Sequence, residues 1–226
     1  MEHYSFRNPD KSISSKNSYA PKQPFRILAS GTSKSEKTEM FGYQFFGSKY
    51  IKVYPYIIGN KDKNKAPKNE NYGKRDKNCP WYENVRFKLI GPEKIPDISK
   101  FKNTGWKTII VFDDLAGEPL SIQQKIIPFF RSGRHERISS IYIAQRYFET
   151  HPNIHTNLTY ISLHRGCTLE TIKRILKDMY DDYESLAKKV YEVIKKHYVI
   201  INIRRPADDP LSIRYRWDKP LLKIVT

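Results

Sequence analysis

Short apolar runs divide the chain into alternating strand and helix candidates. The first, FRILA at residues 25–29, is interrupted only by Arg26 and leads into Ser30 and Gly31. Such a run predicts a buried strand that enters a turn. Similar runs predict further strands over residues 50–58, 85–90, 107–112, 138–144 and 160–164.

Apolar residues at helical spacing occur between several of these strands. They predict helices over residues 38–46, 121–130 and 168–196. Gly42 weakens the first of these by about 1 kcal/mol relative to alanine. The segment DDYES at residues 181–185 can divide the last into two helices. Residues 198–203 and 212–217 are predicted to form a closing pair of strands across a turn.

Strands that alternate with helices predict an α/β fold. We expect a mostly parallel central sheet flanked by helices, with ligands at the carboxyl ends of the strands. The polar residues 1–23 are expected to form a loose arm, and residues 24–226 a single domain. Residues 59–80 are rich in lysine and lack apolar periodicity, which predicts a basic loop insertion. This loop is either a solvated insertion without a task or a flap that contacts phosphates.

Charge narrows the class of partner. The chain has 41 Lys and Arg against 24 Asp and Glu, a formal net charge of +17. An excess of this size attracts a polyanion and retains it by releasing condensed counterions, so nucleic acid is the expected partner. The alternative is a lysine-rich surface that reflects only a biased composition.

Cysteine content and hydropathy indicate the compartment. Only two cysteines occur, Cys79 and Cys167, and their separation implies neither a disulfide framework nor a thiolate zinc site. We therefore expect an intracellular, reducing location. No apolar run approaches the roughly 18 residues needed to cross a bilayer, so no membrane partner is expected.

The turn after the first strand resembles a phosphate-binding loop, GxxxxGK[ST]. In such a loop backbone amides surround a triphosphate, the lysine reaches the terminal phosphates and the hydroxyl binds magnesium. The matching residues are Gly31, Thr32, Ser33, Lys34, Ser35, Glu36, Lys37 and Thr38. Glu36 occupies the position of the second glycine. A surface turn is the alternative, but a strand precedes this motif and a helix is predicted after it.

A second motif, TIIVFDD at residues 108–114, is an apolar strand that ends in two carboxylates. Asp113 is placed to hold the Mg²⁺ that bridges nucleotide phosphates, and Asp114 to orient the attacking water. The alternative is that the acid pair only caps a strand in a turn.

A third stretch, FFRSGRHERISSIYIAQRYFETHP at residues 129–152, contains a GRH turn before a strand that ends in Gln145. An amide at that strand end would sit near the terminal phosphate. The three stretches together resemble the poxvirus-type DNA-packaging ATPases, P-loop NTPases of the FtsK-HerA superfamily. The resemblance runs from about Phe25 to Arg216.

This resemblance implies a P-loop NTPase fold and an ATP-driven motor, usually a homo-oligomeric ring, that moves double-stranded DNA into a capsid. ATP and Mg²⁺ are the implied cofactors, with Lys37 and Thr38 on phosphate and magnesium. It further implies Asp113 on the metal, Asp114 on water and Gln145 on the γ-phosphate. Capsid proteins are further implied partners, and the implied location is the host cytoplasm or nucleus, or the virion.

Two arginines of the third stretch have two interpretations. The resemblance implies that Arg131 or Arg134 is a finger that reaches a neighbouring subunit's nucleotide. The alternative is that both belong to a basic patch that contacts DNA.

Glu36 departs from the family pattern. A non-glycine residue in a left-handed backbone costs roughly 1–2 kcal/mol. A carboxylate about 4 Å from a phosphate charge adds repulsion of about 4 kcal/mol at an effective dielectric of 20, close to a thousandfold in affinity. Charge therefore outweighs strain, and Lys34 or a side chain turned to water would reduce the effect.

Three functions are compatible with these motifs. The first is a DNA-packaging ATPase with weakened hydrolysis. The second is an inactive basic DNA-binding protein that keeps the ATPase fold, although the survival of Lys37, Thr38, Asp113, Asp114 and Gln145 argues against a long-abandoned site. The third, a kinase or other metabolic NTPase, is less favoured because the excess charge suits a polymer.

Overall fold

The computed structural model describes residues 21, 24–32, 37, 40, 54–59, 88–101, 108–217 and 219–221. The strands in these residues are β1 (Arg26–Ser30), β2 (Tyr54–Gly59), β3 (Lys88–Ile90), β4 (Thr108–Asp113), β5 (Ile138–Ala144), β6 (Tyr160–Leu163), β7 (Val199–Asn202), β8 (Ile213–Tyr215) and β9 (Lys219–Pro220). The helices are α1 (Leu120–Arg131), α2 (Pro152–His155), α3 (Leu169–Lys177) and α4 (Tyr183–Ile194). The predicted arm apart from residue 21, the predicted helix over 38–46 apart from Met40, and the predicted basic loop beyond Gly59 lie outside the described residues.

The described strands form one sheet in the order β3-β2-β4-β5-β1-β6-β7-β8-β9. Every neighbouring pair from β3 to β6 is parallel, whereas β7, β8 and β9 are added in antiparallel pairs. The prediction of a mostly parallel α/β sheet is therefore confirmed. We call the edge at which the parallel strands end the carboxyl edge, and the edge at which they begin the amino edge.

β1 lies in the parallel part of the sheet, between β5 and β6. All of its residues and all of those of β5 are buried. Strands that are covered on both faces are apolar along their whole length, which is why both were visible in the sequence as continuous runs. The polar exceptions are Arg26, Ser30, Ser139 and Ser140. Arg26 is only 4% exposed, and its Nη1 donates to the carbonyl oxygen of Phe130 at 3.1 Å.

Side chains that alternate along the strands build a core on each face of the sheet. In β4, Ile110 and Phe112 join the larger core, to which α1, α3 and α4 contribute. Ile109 and Val111 join the smaller core, which includes Met40. Met40 thus packs on the face opposite the one covered by α1, α3 and α4.

The long helical segment predicted over 168–196 is two helices, as the DDYES segment allows. α3 begins after Thr168, whose Oγ1 accepts the backbone N–H of Thr171 at 3.2 Å and so caps the helix. It ends at Lys177, and α4 begins at Tyr183. The predicted closing strands are also present, as the antiparallel pair β7 and β8.

Two short elements were not predicted. The segment before β6 was expected to be a loop, but it contains α2, with Pro152 at its start and the imidazole Nδ1 of His151 accepting the N–H of Asn153 at 3.1 Å. Histidine is not among the usual capping residues, so little in the residue pattern indicated this turn. The other is β9, which has two residues. None of the described helices has the length and apolar character needed to span a bilayer.

Candidate functional site

The start of the phosphate-loop motif is held between the ends of two strands at the carboxyl edge. Gly31 N–H donates to the carbonyl oxygen of Ala144 at 3.3 Å, beyond β5. Thr32 donates to the carbonyl oxygen of Arg165, beyond β6, from its backbone N–H at 2.9 Å and from its Oγ1 at 3.2 Å. The chain therefore leaves β1 in a fixed direction. Ser33, Lys34, Ser35, Glu36 and Thr38 lie outside the described residues.

The side chain of Lys37 folds back onto the first residues of the phosphate-loop motif. Its backbone is helical, its side chain is 9% exposed, and its Nζ donates to the carbonyl oxygens of Gly31 and, at 2.9 Å, of Thr32. Burial lowers the pKa of the Lys37 amine, while the charges of Asp113 and Asp114 act in the opposite direction. The amine thus lies against Gly31 and Thr32 and within the electrostatic field of both carboxylates.

The two carboxylates end β4 in different ways. Asp113 is the last residue of the strand, opposite Ile143 of β5, and is half-buried. Asp114 turns the chain with a φ of 54°, and its N–H donates to the carbonyl oxygen of Ile143 at 2.9 Å. The left-handed conformation is uncommon for residues other than glycine, and aspartate is one of the types that tolerate it. The acid pair therefore ends β4 in two backbone conformations, that of a strand at Asp113 and a left-handed one at Asp114.

Gln145 is the first residue after β5 and lies beside Asp114. Its Nε2 is 3.3 Å from each carboxylate oxygen of Asp114 and donates to both. Because β4, β5 and β1 are neighbours, the carboxyl edge brings the acid pair, the amide and the lysine together in one chain.

A buried polar group below the site was not singled out in the sequence. Gln123 of α1 is 8% exposed; its Nε2 donates to the carbonyl oxygen of Leu115, the residue after Asp114. The hydroxyl of Tyr142 donates to Gln123 Oε1 at 3.4 Å, and burial raises the pKa of that hydroxyl. The signal in the sequence was a polar residue three positions before Ile126, on the face of the helix that is otherwise apolar. These contacts fix the turn that carries Asp114.

The loop after β6 was also missed. Gly166 has a φ of 98°, and a Cβ on it would lie 2.2 Å from Thr32 Cγ2. The thiol of Cys167 donates to the carbonyl oxygen of Ser30 at 3.4 Å, and burial raises the pKa of this thiol. Residues 165–167 therefore pack directly on the beginning of the phosphate-loop motif. A glycine after a strand that ends at the carboxyl edge was the available signal.

The structure does not bring Arg131 and Arg134 to this site within one chain. Arg131 ends α1 and Arg134 lies in the turn Gly133–Glu136 that precedes β5; both are exposed. Burial first, and then the charges of Arg204 and Arg134, lower the pKa of Arg26 to about 10, so Arg134 lies near the start of β1. Seven residues of β5 span about 20 Å at roughly 3.3 Å per residue, and they separate this amino edge from Gln145.

Fold and site together define a class of protein. A mostly parallel α/β sheet, whose central strand enters a loop closed by a lysine beside a strand that ends in two acids, is the arrangement of P-loop ATPases. The model of the poxvirus A32 protein family matches residues 15–201, most of the chain. The chain belongs to this family, and the predicted resemblance to viral DNA-packaging ATPases is confirmed.

Solved structures support the same fold. B204, the DNA-packaging ATPase from Sulfolobus turreted icosahedral virus, is similar with a TM-score of 0.55 and 14% identity over 85% of this chain and 96% of that chain. The genome packaging NTPase B204 from Sulfolobus turreted icosahedral virus 2, in complex with AMPPCP, gives a TM-score of 0.56 and 14% identity over 84% of this chain and 95% of that one. The same protein in complex with ATP-gammaS gives a TM-score of 0.56. No curated protein sequence matches this chain.

Proposed function

We propose that this protein is a genome-packaging ATPase that binds ATP with Mg²⁺, translocates double-stranded DNA, and hydrolyses ATP more slowly because of Glu36. The observation that carries the proposal is the position of Lys37. Its amine rests on the carbonyl oxygens of Gly31 and Thr32 and is acted on by the charges of Asp113 and Asp114. A cation held over a loop and facing two acids is what a magnesium triphosphate requires.

Phosphate binding follows from the partners of Lys37. Loop carbonyl oxygens are weaker partners for an ammonium group than phosphate oxygens, because a charge-assisted hydrogen bond is stronger than one to a neutral acceptor. The Lys37 amine is therefore positioned to exchange Gly31 and Thr32 for the terminal phosphates. The complexes of B204 with AMPPCP and ATP-gammaS support a nucleotide as the ligand.

The residues at the end of β4 fit a magnesium ion. Asp113 presents a half-buried carboxylate at the carboxyl edge, and carboxylate and hydroxyl oxygens are the ligands that Mg²⁺ prefers. Asp113 and the hydroxyl of Thr38 would hold the ion. Bound there, Mg²⁺ would neutralise negative charge on the phosphates.

Asp114 and Gln145 act on the attacking water. The Asp114 carboxylate orients the water and accepts its proton. The amide of Gln145 holds that carboxylate through two hydrogen bonds at 3.3 Å and is exposed, so it also reaches the γ-phosphate. Gln145 thereby couples the end of β5 to the presence of that phosphate.

The amino edge supplies the contact between subunits. Arg131 and Arg134 lie on the edge opposite Lys37, so neither reaches the nucleotide of its own chain. In a head-to-tail ring, one subunit's amino edge faces the next subunit's carboxyl edge, and an exposed arginine there completes the neighbour's site. Double-stranded DNA and capsid proteins are the remaining partners of such a ring.

A second candidate is an inactive, basic DNA-binding protein that retains the fold. Glu36 and the net charge of +17 favour it, because repulsion of the nucleotide leaves DNA binding intact. DNA-stimulated phosphate release supports the motor, whereas salt-sensitive DNA retention without phosphate release supports the binder.

Calorimetric titration of ATP and Mg²⁺ into the protein and into Glu36→Gly and Glu36→Gln tests the nucleotide site. Glu36→Gln removes the charge and keeps the side chain, so it is expected to restore most of the roughly thousandfold loss, and Glu36→Gly about tenfold more. Micromolar binding by the unaltered protein would remove the case for impairment. If none of the three proteins binds ATP, the nucleotide-site proposal is wrong.

A further inference from the structure

The carboxyl edge has a second source of positive charge, on the β6 side of the phosphate-loop motif. Arg165 follows β6, and β6 is the neighbour of β1 on the side away from β5. Its carbonyl oxygen accepts two hydrogen bonds from Thr32, at 2.9 Å and 3.2 Å. The backbone of Arg165 is therefore fixed directly against the loop.

The position of Thr32 indicates which part of a nucleotide would lie there. The lysine of a phosphate-binding loop reaches the terminal phosphates, and here the Nζ of Lys37 bonds to the carbonyl oxygen of Thr32 at 2.9 Å. Thr32 therefore lies beside the position that the terminal phosphates would take. Arg165 contacts Thr32 directly and so lies next to that position.

The side chain of Arg165 differs from the other arginines at this edge. Arg146 forms an ion pair with Glu149 at 3.6 Å, and the guanidinium of Arg174 stacks over the ring of Phe148 at 4.0 Å. Arg165 is exposed and its guanidinium makes no hydrogen bond or ion pair to another described residue. The backbone of Arg165 is thus held in place, while its guanidinium has no partner among the described residues and is available to a ligand.

We propose that Arg165 is a phosphate-binding residue that contacts the terminal phosphate of ATP from within the same chain. The inference rests on the proposed nucleotide site. Because the Arg165 side chain is exposed, its guanidinium reaches the phosphate by a rotation of that side chain. Exposed side chains change rotamer in picoseconds to nanoseconds, so such a rotation is fast.

Arg165 also compensates for the negative charge that Glu36 places in the phosphate-loop motif. A glutamate in the loop adds one negative charge beside the triphosphate. An arginine that binds phosphate oxygens in a bidentate manner restores one positive charge with two directed hydrogen bonds. The loop then keeps its selectivity for a triphosphate although it lacks the second glycine. A site completed in this way depends on Arg165 more than a loop with glycine would.

The test compares ATP and ADP binding by calorimetry for Arg165→Ala, Arg165→Lys and the matched control Arg204→Ala. Arg204 is an exposed arginine that interacts with Arg26 at the amino edge, so its removal changes the net charge equally without touching the loop. The measurements are made in the unaltered chain and in Glu36→Gly. The backbone carbonyl that holds Thr32 is kept in every variant.

We expect Arg165→Ala to weaken ATP binding roughly 10- to 100-fold, the value of a lost charge-assisted hydrogen bond. ADP binding and the melting temperature should stay unchanged, and Arg165→Lys should recover part of the loss. Equal ATP affinity of Arg165→Ala and Arg204→Ala overturns the proposal. An equal loss of ATP and ADP binding also overturns it, because it shows a distorted loop. If no protein binds ATP, with or without Glu36→Gly, the proposed function itself is wrong. This result differs from the failure of the Arg165 proposal alone, in which the unaltered protein still binds ATP.

Discussion

The amide of Gln145 donates to both carboxylate oxygens of Asp114, at 3.3 Å each, and so joins the ends of two adjacent parallel strands. This contact orients the carboxylate that would act on water. It also gives β5 a direct connection to the end of β4, because one side chain spans the two turns.

Replacement of Gln145 tests whether this residue orients the attacking water or contributes to ATP binding. In the Glu36→Gly background we expect Gln145→Ala to lower phosphate release roughly 100-fold with little change in ATP affinity, because the amide acts on the attacking water. Gln145→Glu is the matched variant. A carboxylate there raises the pKa of the acid pair, so the rate should reach its plateau at higher pH than before. Unchanged phosphate release by Gln145→Ala would show that the contact has no catalytic role.

Replacement of Lys37 by methionine should abolish ATP binding without loss of stability. Burial lowers the pKa of Lys37, so its protonated form is less favourable in the folded chain than in the unfolded chain. Folding stability therefore rises with pH over the range in which the folded-state amine has lost its proton while the unfolded-state lysine, of usual pKa 10.5, still keeps it. We expect Lys37→Met to melt at the same or a higher temperature than the unaltered protein at pH 7.

Melting curves at pH 7 and pH 10 check the sign of this effect. Any advantage of Lys37→Met should shrink at pH 10, because the unaltered protein gains stability as its buried amine loses its proton before the unfolded chain does. An advantage that grows with pH would contradict the burial penalty on the amine.

Gly166 offers a test of the packing between the β6 loop and the phosphate-loop motif. Gly166→Ala places a Cβ 2.2 Å from Thr32 Cγ2 in a left-handed backbone, whereas a Cβ on Gly117 meets nothing within 4 Å. We expect Gly166→Ala to cost about 1–3 kcal/mol of folding free energy and to weaken ATP binding. Gly117→Ala should do neither. Chemical denaturation and calorimetry of the two variants measure both effects, and similar results for the pair would argue against this packing.

The buried contacts below Asp114 predict a stability difference. Gln123→Leu leaves the carbonyl oxygen of Leu115 and the hydroxyl of Tyr142 without their partner, which should cost about 1–3 kcal/mol. Adding Tyr142→Phe to Gln123→Leu removes one of the two orphaned groups and should recover part of that cost. Urea denaturation of the single and double variants measures the recovery, and a double variant less stable than Gln123→Leu would contradict the contact.

Mixed assemblies test the arginines of the amino edge. A subunit with Lys37→Met lacks its own nucleotide site but keeps its arginines, and a subunit with Arg134→Ala has the reverse defect. If Arg134 completes a neighbour's site, mixing the two inactive proteins should restore phosphate release. Mixtures with Arg131→Ala form the matched comparison. Restoration with neither variant would leave DNA contact as the remaining role of these residues.

The sequence by itself determined most of the strands and the positions of the motifs. β1, β4 and β5 are buried on both faces, so their apolar runs were readable without knowledge of their partners. The division of the helical segment between Lys177 and Tyr183 was also visible, because polar residues interrupt its periodicity. The order of the strands in the sheet was not visible in the sequence, since a buried strand is equally apolar whichever strand lies next to it.

Only the tertiary structure decided which motif residues meet. The insertion of β1 between β5 and β6 brings Lys37 within the electrostatic field of Asp113 and Asp114, and it brings Arg165 against Thr32. The direction of β5 places Arg134 at the opposite edge, although it is nearer to Gln145 in sequence than Lys37 is. The physical reason is that parallel strands gather their carboxyl ends at one edge, so proximity at the site follows strand order and direction and not distance along the chain.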